Sequence, residues 1–93
     1  MSLTLSEFRA KLVKKLLLAP GQNEVKRFIN AGMRGLHSHK VHGHIVINFI
    51  DKTLGDLNAF SPMNHDAQQW ANIKLARVLF HQLKGKLQTA GIQ

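Results

Sequence analysis

Along most of this chain the apolar residues recur every three or four positions, a spacing that lines one face of an α-helix and would scatter over both faces of a strand. Leu5, Phe8, Leu12 and Leu16 form the first such series. Thr4 and Glu7 stand ahead of it at the spacing of a capping box, in which each side chain satisfies the other's free backbone N–H. Pro20-Gly21 ends the series, because proline cannot extend the hydrogen-bond ladder and disfavours helical geometry at Ala19. The expected helix spans residues 5–18.

A second series, Val25, Phe28, Ile29, Gly32, Met33 and Leu36, occupies a narrow arc behind the capping residue Asn23 and the first-turn acid Glu24. It predicts a helix over 23–36. Glycine inside a helix costs about 1 kcal/mol relative to alanine, so Gly32 within the apolar stripe points to close approach by another helix. Ser61-Pro62, a cap followed by proline at the first helical position, opens the longest series and predicts a helix over 62–88 with Gly91 as its stop. Its main stripe holds Ile73, Ala76, Leu79, Phe80, Leu83 and Leu87. A second apolar edge of Ala67, Ala71, Leu75 and Val78 would let it touch neighbours on two sides.

Residues 41–49 are ambiguous. Val41, Gly43, Ile45, Ile47 and Phe49 alternate with more polar residues as in a strand. A strand needs a partner, however, and no second segment reads as one. Val46, Ile47, Ile50, Leu54 and Leu57 also make a helical stripe opposite Asn48, Asp51, Lys52 and Asn58, which predicts a third helix over 42–58. Four helices joined by short turns give an all-α fold, a compact antiparallel bundle in a single helical domain spanning 1–93.

Ninety-three residues with 44% apolar content can build one core. Cysteine is absent, which excludes disulfides, thiolate metal sites and a cysteine nucleophile, and suggests a cytoplasmic setting. No apolar run approaches the ~20 residues of a membrane span. Met1, Ser2 and Leu3 read as an expression remnant.

The charge is unusual. Thirteen Lys and Arg against five Asp and Glu give +8, and residues 1–40 carry most of the excess. Such a balance favours anionic partners, whether nucleic acid, acidic protein or phospholipid surface. On the fourth helix Trp70, Lys74, Arg77, His81 and Lys84 line one face, a combination that could neutralise phosphates and stack on a base. Lys26, Arg27, Asn30 and Arg34 offer a comparable face on the second helix, and Lys11, Lys14 and Lys15 one on the first. If two of these faces converge, a binding groove follows; if they diverge, the charge is diffuse.

Four of the six histidines, His37, His39, His42 and His44, fall within eight residues. Imidazole is a common metal ligand, so these are weak metal candidates. His37 to His42 superficially resembles the His-x-His-x-Asp-His signature of the metallo-β-lactamase superfamily, but Val41 stands in place of the aspartate and Lys40 adds a positive charge. A polar, partly protonated surface turn accounts for the cluster as it stands. Full protonation of the six histidines would raise the charge from +8 towards +14 and tighten anion binding.

Nothing in the sequence organises catalysis. Glu7, Glu24, Asp51, Asp56 and Asp66 form no close pair, no serine lies in a nucleophile motif, and no glycine-rich phosphate loop is present. No cofactor is implied. The expectation is a non-catalytic module that binds an acidic protein or a second copy of itself through residual apolar surface at Leu18, Ile45, Phe49 or Val78. The alternative is a nucleic-acid-binding domain using the basic helix faces.

Overall fold

The computed structural model describes residues 4–61, 63 and 65–89. Four helices account for most of them: α1 (Leu5–Leu17), α2 (Gln22–Ser38), α3 (Gly43–Asn58) and α4 (Ala67–Thr89). The ambiguous stretch is helical. Residues 43–49 open α3, where Ile50, Leu54 and Leu57 turn inward as the helical stripe requires. The first three residues, Pro62 and the expected stop at Gly91 lie outside the described residues.

Each helix begins and ends for a local reason. At α1 the capping box forms in full: Glu7 N–H donates to Thr4 Oγ1 at 3.1 Å and Thr4 N–H to Glu7 Oε1 at 3.2 Å. The Thr4 backbone N–H, and after it the Thr4 hydroxyl, favour the ionised carboxylate and hold the Glu7 carboxyl below its ordinary value of 4.5. α2 starts slightly ahead of the expected Asn23 cap: extended Gly21 takes the N-cap position, and its carbonyl accepts the Val25 N–H. Its end is a Schellman motif, in which Val41 N–H reaches the Leu36 carbonyl and Lys40 N–H the His37 carbonyl. Lys40 adopts the left-handed conformation (φ 54°) that this motif demands and that glycine usually fills.

The start of α4 differs from expectation. The helix is capped by Asp66, not Ser61: Gln69 N–H donates to Asp66 Oδ1 at 2.8 Å, and Asp66 N–H to Gln69 Oε1 at 3.3 Å. This second capping box sets the helix start at Ala67. Ser61 instead organises the turn before it, accepting the Met63 N–H on its hydroxyl and the His65 ring on its carbonyl.

Packing follows a ring. α1 lies against α2, α2 against α4, α4 against α3 and α3 against α1; α1 and α4 also touch across the ring, whereas α2 and α3 make far less contact. Gly32 sits where α2 meets α1, and a Cβ there would stand 3.2 Å from Leu12 Cδ2. Gly35 faces Phe8 nearby, so α1 and α2 run antiparallel. The core contains Leu12, Leu16, Val25, Ile29, Ile50, Leu57, Ile73 and Phe80. Phe49 belongs to it as well. At 3% exposure it is not residual surface, because its ring packs on Phe8 with centroids 5.7 Å apart. Leu18, Ile45 and Val78 are exposed. On the second edge of α4, Ala67, Ala71 and Val78 are exposed and Leu75 alone is half-buried.

One buried polar side chain ties the ends together. Asn72, 1% exposed, donates through Nδ2 to the carbonyls of Ala19 (2.7 Å) and Leu17 (3.3 Å), and Gln68 Nε2 donates to its Oδ1 at 2.9 Å. The carbonyls at the end of α1 have no intrahelical partner, so Asn72 of α4 satisfies that of Leu17, the last residue of α1, and that of Ala19 in the turn after it. The radius of gyration, 13.0 Å, is close to the ~12 Å expected of a folded chain this long.

Candidate functional site

A groove opens between α2 and α4. Its wider part, about 600 Å³, is lined by Asn30, Met33, Arg34 and His37 of α2, by Val41, Gly43 and Val46 at the start of α3, and by Leu83 and Leu87 of α4. A narrower part of about 190 Å³ continues it along Lys26, Ile29 and Asn30 on one side and Leu79, Gln82, Leu83 and Lys86 on the other. The two parts adjoin at Asn30 and Leu83, which line both. The order of the lining residues shows α2 and α4 running in the same direction along them.

The walls follow from the helix faces. Ile73, Ala76 and Phe80 of the α4 stripe are fully buried, whereas Leu79, Leu83 and Leu87, at its margin, are half-buried. Met33 on α2 and Val46 on α3 occupy the same kind of margin. They pack on the core from its edge and form an apolar floor. Lys26, Arg34, His37 and Lys86 are exposed and form the rim. Among the described residues no carboxylate lines either part of the groove.

The balance of charge explains that rim. Glu7 and Asp66 are engaged in capping boxes. Asp56 accepts Arg9 Nε at 2.8 Å, and Asp51 pairs with Lys84. Among the described residues only the Glu24 carboxylate, in the first turn of α2, has no such contact, and it lies round the helix from the groove. Among the described residues, eleven of the thirteen Lys and Arg have no carboxylate partner.

The basic faces read from the sequence do not all converge. Lys26 and Arg34 border the groove, with Arg27 exposed on the outer side of α2. The stripe of Trp70, Lys74, Arg77, His81 and Lys84 lies about half a turn round α4 from Leu79, Gln82 and Lys86, and thus on the α3 side. Within it Lys84 is bound to Asp51 and Trp70 is half-buried against the core. Lys11 and Lys15 border a separate cavity of about 390 Å³ between α1 and α2, floored by Phe8, Leu12 and Phe28. Lys86 is the groove residue that the sequence reading passed over. Its position one turn beyond Gln82, beside the Leu79 and Leu83 edge, is the signal that marks it.

The histidines are dispersed by the turn. His37 lines the groove, and His39 Nδ1 donates to the Gly35 carbonyl at 2.8 Å. His42 is the N-cap residue of α3, and its ring stacks near that of His44 with centroids 6.4 Å apart. Among the described residues no three His, Asp or Glu side chains come together in a way that could hold a metal ion. No helix among them is long and apolar enough to cross a membrane.

The site is thus an apolar groove with a cationic rim, suited to holding a surface with apolar residues flanked by negative charge. Compared with protein-family models, curated proteins and solved structures, the chain matches none.

Proposed function

We propose that this protein is a non-catalytic protein-interaction module whose contact surface is the groove between α2 and α4. The observation that carries the reading is the row of half-buried apolar side chains, Met33, Val46, Leu79, Leu83 and Leu87, along two adjoining hollows of about 600 and 190 Å³. A core of this size would gain by covering them, so the uncovered edge is available to a partner, either another protein or a second copy. The non-catalytic part rests on the sequence, in which no close acid pair, nucleophile motif or glycine-rich phosphate loop is found. A cytoplasmic location belongs to the same proposal and rests on the cysteine-free composition.

Nucleic-acid binding is the second reading, favoured by the eleven cations without a carboxylate partner. A half-buried Trp70 and a neutralised Lys84 weigh against its strongest form. Panning a random peptide library, followed by NMR mapping, tests the first reading. Binders should shift the amides of residues 30–37 and 79–87 with little dependence on salt in their apolar contribution. Absence of groove binders, together with oligonucleotide binding that falls by orders of magnitude between about 50 and 200 mM salt, would replace it with the second.

A further inference from the structure

We infer that the occupant of the α2/α4 groove is an acidic amphipathic helix supplied by a different protein. The inference rests on the groove being the contact surface, and it adds the chemistry of the partner.

Backbone chemistry selects the helix. Both walls are helices with their own hydrogen bonds satisfied internally, and the described residues include no strand edge onto which an extended segment could add. An extended occupant would leave its N–H and C=O groups facing Leu and Val side chains, which is costly. A helix satisfies its own backbone and presents a stripe of apolar side chains instead. The length agrees. From Lys26 to His37 the α2 wall runs about 16 Å, enough for some three turns of a guest helix.

Charge selects the sign and excludes a second copy. Lys26 and Lys86 flank the narrower part, and Arg34 and His37 the wider, with no carboxylate in the lining among the described residues. A guest with Glu or Asp on the flanks of its apolar stripe meets four cationic or protonatable side chains. A symmetric dimer through this groove would set the same four against their own copies. Among the described residues the acid that could answer from elsewhere on a second copy is sparse, since the Asp and Glu side chains other than Glu24 are engaged in caps or ion pairs. Self-association is therefore opposed at this surface, while an acidic partner is steered towards it.

The test uses the full chain and a labelled synthetic peptide about four turns long, with Leu at i, i+3, i+4 and i+7 and Glu or Gln elsewhere. One control keeps the composition but distributes the Leu residues round the helix; another replaces Glu by Lys. Binding is read by fluorescence anisotropy and located by amide shifts. The acidic amphipathic peptide should bind at least about tenfold more tightly than either control, and its shifts should map to residues 26–37 and 79–87. Lys26→Glu, Arg34→Glu and Lys86→Glu together, all exposed and so compatible with folding, should weaken it about tenfold or more and improve the Lys peptide. Met33→Gln should weaken the acidic peptide while leaving its charge dependence intact.

Equal binding of the acidic and Lys peptides in the groove overturns the inference about charge but leaves the interaction module standing. Equal binding of the redistributed peptide overturns the helix. A stable dimer whose interface maps to the groove overturns the different-protein partner. If no peptide in this set or the random library shifts groove amides, the proposed function falls with the inference.

Discussion

Replacing Asn72 tests the most specific energetic consequence of this fold. Its Nδ2 donates to two carbonyls at the end of α1, and Ala19, which owns one of them, is only 3% exposed. The amide orientation is forced, because Oδ1 in that place would oppose two carbonyl oxygens. Asn72→Ala leaves both acceptors facing a small cavity. Each buried unsatisfied group costs about 1–3 kcal/mol, so the expected loss is about 3 kcal/mol. For a chain of 93 residues, with a total stability of about 5–14 kcal/mol, that is a large fraction. Asn72→Asp conserves the shape but sets a carboxylate oxygen 2.7 Å from the Ala19 carbonyl, so it should cost more than the alanine at neutral pH. Burial and repulsion raise that Asp above its ordinary value, about 3.9. Its penalty is therefore fully present above the raised folded-state value and relieved as pH falls through it, when the carboxylic acid can donate to one carbonyl. Urea unfolding followed by far-UV circular dichroism, at neutral and mildly acidic pH and with the m-value checked, measures all of this. A loss below about 1 kcal/mol for the alanine, or an Asp variant no worse than the alanine at neutral pH, would refute the cross-fold cap.

Four further outcomes follow from local geometry. Lys40→Gly should stabilise the chain by about 1 kcal/mol and raise Tm by about 4–8 °C in calorimetry, since Lys40 pays the left-handed penalty that glycine avoids. Gly55→Ala, where a Cβ meets nothing within 4 Å, should give close to the full helix-propensity gain of about 1 kcal/mol. Gly32→Ala, 3.2 Å from a core leucine, should give clearly less in the same denaturation assay. The Glu7 carboxyl should titrate below 4.5 by NMR and return towards that value in Thr4→Ala. Because its folded-state value is depressed, the contribution of the capping box to stability is present above the unfolded value and lost as pH falls through the folded one.

Much of the secondary structure was legible because its signals are local. The Thr4-x-x-Glu7 box, the Val25 to Leu36 stripe and the helical reading of residues 43–58 depend on neighbours within one or two turns. The start of α4 illustrates competition between such signals. Ser61-Pro62 has the form of a helix start, but Asp66-x-x-Gln69 makes the reciprocal cap, and the helix begins there. Asn72 gave no signal, since its partners lie 53 and 55 residues away. The groove was half legible. Periodicity identifies Leu79, Leu83, Lys26 and Arg34 as face residues, yet it cannot say that the face of α2 meets the Lys86 side of α4 and not its Trp70 side. Which faces converge is decided by the ring order of the helices, a property of the whole chain.

That ring order also shapes how the molecule comes together. Consecutive helices α1 and α2 are neighbours, as are α3 and α4, whereas the link over residues 39–42 joins two helices with little mutual contact. The chain is thus two helical hairpins, each closed by a short loop at small entropic cost. The contacts of α4 with α1 and α2, the Asn72 cap and the groove all lie between one hairpin and the other. The groove between α2 and α4 therefore needs both hairpins in place, and any ligand that occupied it would bind the folded chain and raise its stability by mass action.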